Sequence, residues 1–132
     1  MKKTVLIILS VLVLLTSGCG QESFNILDTK EFNDKIADRT DIGTPEELIE
    51  IYYDRSEVDD NSTVTINTID LGDNIYEITL IHEGLPDDSV AGRKIVMTAE
   101  LTGTTWIVTE IKENWKCWEG RGSAKWGTKL CY

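Results

Sequence analysis

The sequence has few of the residues that most often bind metals or perform catalysis. Its 132 residues include one histidine, His82, and three cysteines, Cys19, Cys117 and Cys131. The cysteines lack the C-x-x-C spacing of a zinc site, and His82 is distant from all three in sequence. No serine or cysteine stands in a known nucleophile motif. We therefore predict no metal site, no cofactor and no assignable catalytic residue.

Basic residues are also scarce, and they are unevenly placed. The chain has 13 Lys and Arg against 23 Asp and Glu, a net charge of −10. Residues 19–111 carry −15, whereas residues 112–132 carry +3. Because phosphate contacts require cations, the acidic body argues against nucleic-acid binding, and it equally argues against lying flat on anionic lipid. The basic end is expected to dock on the acidic body; display to an anionic partner is the alternative.

No apolar run is long enough to form a lasting transmembrane helix. The longest follows two lysines and extends from Thr4 to Leu15, with only Ser10 interrupting it. Its length suits the hydrophobic segment of a signal peptide better than a span of about 20 residues. We therefore predict a signal peptide over residues 1–18.

The end of this segment, Leu15-Thr16-Ser17-Gly18-Cys19, resembles the lipobox of bacterial lipoproteins. It departs from the usual pattern at Thr16, where leucine is common. The resemblance implies cleavage before Cys19 and acylation of that cysteine, as in palmitate-bearing lipoproteins. The protein would then be a lipid-anchored cell-envelope protein facing the periplasm or the cell exterior, on either the inner or the outer membrane. The alternative is an ordinary secretory peptide that leaves Cys19 free.

Cys117 and Cys131, 14 positions apart, are predicted to form a disulfide. An exported protein meets the oxidising conditions that this requires, and lipidation of Cys19 would leave one even pair. A loop of this size restricts the unfolded chain by about 3 kcal/mol. The disulfide loop, residues 117–131, contains Trp118 and Trp126.

The last third of the chain resembles a group of uncharacterised bacterial exported proteins and lipoproteins. The matching positions are Asp87-Asp88-Ser89-Val90, Arg93, Gly103, Trp106, Cys117, Gly120-Arg121-Gly122, Trp126 and Cys131. Members of the group often have histidine after the Gly-Arg-Gly, where this chain has Ser123, so an acid-base role for that histidine does not transfer. The resemblance implies an envelope location and a disulfide, but no activity.

The pattern between these ends predicts an α+β domain over residues 27–132, following a lipidated tether at residues 19–26. Capping signals at Asp28 and at Thr44-Pro45 predict two helices. Four stretches then alternate with a period of two and predict antiparallel strands near residues 63–71, 75–82, 94–101 and 105–113, with a bulge between Ile66 and Ile69. Helices packed on a four-stranded meander resemble cystatin-like and nuclear-transport-factor-like folds, a likeness that carries no function.

The candidate binding residues are Trp118, Arg121, Lys125 and Trp126. Tryptophan and arginine dominate many interfaces, so these residues suit a protein or a cell-wall glycan partner. Alternatively, Trp115 and Trp126 fold back over the sheet with their indole N–H groups bonded to loop carbonyls.

Two further clusters carry weaker hypotheses. His82 beside Glu83 suits general acid-base work, although a histidine at a strand end is expected to be an ordinary surface residue. Asp87-Asp88 offers oxygen ligands for calcium, or an ion pair with Arg93.

Three functions follow, with the oligomeric state left open. The first is a non-enzymatic lipid-anchored envelope protein that binds a protein or cell-wall partner. The second is a small hydrolase-like envelope enzyme with its site between helix and sheet. The third is a structural accessory lipoprotein of an envelope assembly.

Overall fold

The computed structural model describes residues 20–132; the predicted signal peptide and Cys19 lie outside the described residues. In chain order the elements are β1 (Asn25–Leu27), α1 (Lys30–Ile36), α2 (Pro45–Tyr52), a 3-10 turn (Arg55–Glu57), β2 (Thr63–Gly72), β3 (Ile75–Glu83), β4 (Val90–Thr102) and β5 (Thr105–Cys117). Neither helix of residues 20–132 has the length and apolar character needed to cross a membrane.

The five strands form one antiparallel sheet in the order β1-β5-β4-β3-β2. Strands β2 to β5 each pair with the next along the chain, whereas β1 precedes both helices and pairs with the outer edge of β5. The fold is therefore α+β, but with five strands instead of the predicted four and with a strand before the first helix. The short β1 lacks enough residues for a recognisable alternation, which explains why the pattern did not predict it.

The turn between β2 and β3 has the sequence that its geometry requires. Asp73 and Asn74 have positive φ values of 53° and 61°, a conformation that short polar side chains tolerate. The strand register shifts between Asp70 and Gly72, next to this turn. The predicted bulge between Ile66 and Ile69 was wrong: pairing is continuous there, and Ile69 simply faces outward, 48% exposed.

The two helices pack on one face of the sheet. The core includes helix residues Phe32, Ile36, Leu48 and Ile49 against strand residues Ile78, Leu80, Ile95, Met97 and Ile111. Polar side chains fix the helix side of the domain to β5. Asn33 donates to the Val108 carbonyl and accepts from its amide, both at 2.8 Å, and the Trp106 indole donates to the Ile42 carbonyl at 3.0 Å.

Both helices begin close to their predicted starts, with altered capping. Asp28 accepts a hydrogen bond from the Lys30 amide at 2.7 Å, although Thr29 occupies the N-cap position. Pro45 occupies the first turn of α2; Thr44 is its N-cap without a side-chain bond, and Glu47 accepts from the Gly43 amide at 2.8 Å. The helix starts are therefore correct to within one residue.

Candidate functional site

A pocket of about 430 Å³ opens at one end of the helix-covered sheet face. The β3–β4 loop (residues 84–89), the start of β4 and the end of β5 supply its walls. Its lining residues are Leu85, Pro86, Asp87, Val90, Arg93, Glu113 and Trp115. Four of these seven residues are apolar, and the other three are one cation and two carboxylates.

The sheet register brings the pocket side chains onto the helix-covered face. His82, Arg93 and Trp115 lie directly opposite one another on β3, β4 and β5, and Glu113 lies opposite the core residue Ile95. Opposite residues in an antiparallel pair share a face, so this row continues the core towards the end of the sheet.

Arg93 forms an ion pair with Glu113 on the pocket wall. Its Nε and Nη2 donate to Glu113 Oε2 at 2.9 and 2.6 Å, and the Glu113 side chain is only 14% exposed. The predicted ion pair between Arg93 and Asp87-Asp88 was therefore wrong. Asp87 instead accepts hydrogen bonds from residues of its own loop.

Asp87 organises the β3–β4 loop. Its Oδ1 accepts hydrogen bonds from the amides of Ser89 and Val90 at 2.7 and 2.6 Å, and from the Ser89 hydroxyl at 3.1 Å. The bonds from the Val90 and Ser89 amides hold the pKa of the Asp87 carboxyl below its usual range. The carboxylate is thus a loop-forming group that is already engaged.

Trp118 joins the disulfide loop to the pocket wall. Its indole N–H donates to the Asp87 carbonyl at 2.8 Å, and its amide donates to the Ser89 carbonyl at 2.9 Å. The ring remains 41% exposed. Trp118 therefore supports the β3–β4 loop while presenting part of its surface to solvent.

The predicted disulfide is present between Cys117 and Cys131, whose Cα atoms are 5.5 Å apart. The loop closes tightly at Gly122, where φ is +135° and an added Cβ would lie 2.8 Å from Cys117 Sγ. The Cys117 amide also donates to the Ser123 carbonyl at 2.8 Å. Position 122 thus requires glycine for both backbone conformation and space.

The disulfide loop also forms hydrogen bonds with Trp115. Trp115 and Gly127 exchange two backbone hydrogen bonds of 3.0 Å, and the Trp115 indole donates to the Lys129 carbonyl at 2.8 Å. This is the folded-back arrangement considered for Trp115. The disulfide loop is consequently hydrogen-bonded to the pocket wall at Trp115.

Trp126 packs on the opposite, outer face of the sheet. The ammonium groups of Lys94 and Lys116 lie 4.6 and 5.0 Å from the centre of its ring, in cation–π contact. Lys116 also forms an ion pair with Glu83. The tryptophan is half-buried, and the Lys116–Glu83 ion pair joins the basic end to the acidic body.

The four predicted binding residues have different neighbours. Arg121 and Lys125 are exposed; Arg121 Nη1 donates to the Tyr132 carbonyl at 3.4 Å, and the Lys125 amide donates to Ser123 Oγ at 3.2 Å. Trp118 contacts the β3–β4 loop and Trp126 contacts β4 and β5. Sequence reasoning did not single out the Arg93–Glu113 pair or the apolar pocket walls.

His82 is fully buried, so the expectation of a surface histidine was wrong. Its Nδ1 shares a hydrogen bond with the hydroxyl of Tyr53, at the end of α2. Glu83 points to the other side of the sheet, where it pairs with Lys116. Adjacent strand residues face opposite sides, which separates His82 from Glu83 and removes the proposed acid-base pair.

Tyr52 lies within the electrostatic influence of the pocket ion pair. Its ring packs edge-on against Phe32, with ring centres 5.2 Å apart. Burial raises the pKa of the Tyr52 phenol, the Glu113 charge raises it further, and Arg93 opposes this. Tyr52 is thus a neutral hydroxyl near neutral pH, on the helix side of the ion pair.

The described residues contain no cluster of three or more His, Cys, Asp or Glu side chains suited to a metal ion. Comparison with known proteins supplies no further assignment: no family model, no curated protein and no solved structure matches the chain. The site must therefore be interpreted from its own chemistry.

Proposed function

We propose that the chain is a non-enzymatic, lipid-anchored envelope protein that binds a protein or cell-wall partner through the pocket beside its disulfide loop. The single observation that carries this proposal is the open cavity of about 430 Å³, which combines apolar walls with one ion pair. Concave apolar surfaces with a few fixed polar groups are typical of ligand sites.

The rigidity of the pocket supports a binding role. Trp118 fixes the β3–β4 loop, and the disulfide loop fixes Trp115. A site held in place before binding loses less conformational freedom when the ligand arrives. Both Arg93 bonds fall on Glu113 Oε2, so Oε1 is the acceptor that a ligand donor would use.

The pocket chemistry favours binding over the hydrolase alternative. Its lining residues include no serine, threonine, cysteine, histidine or lysine that could act as a nucleophile. One oxygen of each carboxylate already accepts hydrogen bonds, at Asp87 from loop amides and at Glu113 from Arg93.

The location rests on the lipobox-like segment ending at Cys19 and on the resemblance of the tail to bacterial exported proteins and lipoproteins. Intact mass of the protein purified from membranes should show acyl chains on the N-terminal cysteine, and Cys19→Ser should abolish that added mass and leave the signal peptide attached. An unacylated membrane-bound wild-type protein would contradict the anchor.

Filling the pocket tests the binding role. Val90→Phe adds a ring to the wall without removing a side-chain hydrogen bond and should abolish partner recovery by in-cell cross-linking. Ile107→Phe is the matched control, because Ile107 is 49% exposed on the outer face of β5, and recovery should persist. Equal recovery with both folded variants would reject the pocket as the binding site.

A further inference from the structure

The segment that follows Cys19, the predicted lipidation site, is docked on the outer face of the sheet. Glu22 Oε2 accepts hydrogen bonds from Lys94 at 2.7 Å and from the buried Asn114 at 3.2 Å. Asn114 also donates to the Ser23 carbonyl at 3.1 Å. The ion pair with Lys94 holds the pKa of the Glu22 carboxyl below its usual range. The predicted tether is thus fixed from Glu22 onward.

The C-terminal tail lies directly beside this docked segment. The Ser23 hydroxyl accepts from the Thr128 amide at 3.2 Å and lies 3.2 Å from the Thr128 hydroxyl. Only Gly20 and Gln21 separate Cys19 from Glu22. Gly20, the first residue that the structure describes, is two residues from Glu22, a span of about 7 Å at most, so this end of the described chain lies close to the tail.

The tail carries an exposed group of cationic and apolar side chains. Its members, here called the tail surface, are Arg121, Lys125, Lys129, Leu130 and Tyr132. Leu130 is 84% exposed and Tyr132 is 78% exposed. Residues 118–132 include a single acid, Glu119, whereas residues 19–111 carry a net charge of −15. The cations therefore concentrate at the end of the molecule where the chain enters it.

We propose that the tail surface docks on an anionic lipid bilayer, with lysine and arginine at the headgroups and Leu130 and Tyr132 at the interface. Charge complementarity favours an anionic bilayer, because each cation near an anionic surface contributes about 1 kcal/mol to binding. Tyrosine favours the membrane–water interface. The acidic body is repelled by the same surface, so the domain stands end-on, with the acyl chains supplying anchorage and the tail surface setting orientation.

The surface can be tested apart from lipidation. The core residues and both disulfide cysteines lie within residues 20–132, so a chain starting at Gly20 contains the whole folded domain. This protein should co-sediment with phosphatidylcholine vesicles that contain phosphatidylglycerol, and binding should weaken as salt increases. It should not bind pure phosphatidylcholine vesicles. Absence of binding to the anionic vesicles, with native circular dichroism, would overturn the proposal.

Charge-matched variants locate the contact. Replacing Arg121, Lys125 and Lys129 by glutamine should weaken vesicle partitioning roughly ten- to a hundredfold. The control replaces three exposed cations on the helix side, at Lys30, Lys35 and Arg55, with the same change in net charge. Equal weakening in both variants would indicate a nonspecific charge effect and reject the tail surface.

Apolar variants separate a bilayer from a soluble polyanion. Leu130→Ser with Tyr132→Ser should weaken vesicle binding several-fold and leave binding to polyphosphate unchanged. If vesicle binding is also unchanged, the surface recognises anionic polymers and the bilayer proposal fails. Val90→Phe should not affect vesicle binding, which keeps this test independent of partner binding at the pocket.

Discussion

At the scale of single residues, burial separates side chains that the sequence places together. His82 is enclosed next to Tyr53, whereas its neighbour Glu83 reaches Lys116 on the other face. A buried polar ring is tolerated only when its polar atoms find partners. The pair between His82 and Tyr53 therefore has a structural role in joining α2 to β3.

Tyr53→Phe tests this role. Removing the hydroxyl deprives the buried His82 of a hydrogen bond and should lower the free energy of unfolding by about 1–3 kcal/mol. Tyr132→Phe makes the same chemical change at a side chain that is 78% exposed, and should alter stability by less than about 0.5 kcal/mol. Urea denaturation measures both, and equal values would contradict a structural role for the buried pair.

At the scale of elements, one extra residue in β5 decides which side chains enter the pocket. Moving away from the β4–β5 turn, Ala99 pairs with Val108, but the next residue of β4, Thr98, pairs with Glu110. Thr109 is therefore left unmatched. Without this shift Arg93 would face Asn114, and Glu113 would point to the outer face. The spacing of three between Val108 and Ile111, both buried, was the available signal for the bulge.

The β3–β4 loop predicts a pH dependence. The lowered pKa of Asp87 means that its carboxylate stabilises the fold above the unfolded value of about 3.9, and that this stability is lost as pH falls through the lower folded value. Because the side chain is exposed, the expected effect is only a few tenths of a kcal/mol. Thermal unfolding from neutral to strongly acidic pH should show Asp87→Asn less stable than wild type at neutral pH and equal to it in strong acid.

Asp88→Asn is the control for that loop, because it removes the same charge one residue later. If the stability difference between Asp88→Asn and wild type changes with pH in the same way as that of Asp87→Asn, the effect is due to net charge. It would then not be due to the bonds with Ser89 and Val90.

At the scale of the whole molecule, the disulfide loop adds stability to a domain whose core is complete without it. The core cluster spans the helices and strands, and the tail contributes to it none of its own residues. The tail instead covers the outer edge of β5 at Gly127, next to β1. Its role is to fix the end of the sheet where the pocket opens.

Replacing both Cys117 and Cys131 by alanine should therefore lower the unfolding free energy by about 3 kcal/mol while preserving the sheet. Far-ultraviolet circular dichroism should remain native, while amide exchange should accelerate at Trp115, Trp118 and Ser89. Loss of the entire sheet signal would show that the core depends on the disulfide. Unchanged exchange at these three amides would show that the loop does not fix the pocket wall.

The sequence by itself determined the features that depend on local pattern: two helix starts, the alternation of four long strands, the β2–β3 turn and the pairing of the late cysteines. These follow from periodicity, capping and loop closure, which act over a few residues or a short loop. Only the tertiary structure decided the fifth strand, the burial of His82, the Arg93–Glu113 pair and the position of the tail beside Ser23. Those features depend on contacts between residues up to 105 positions apart and on strand register. No local pattern specifies the register, because a single unmatched residue reverses the facing of every side chain beyond it.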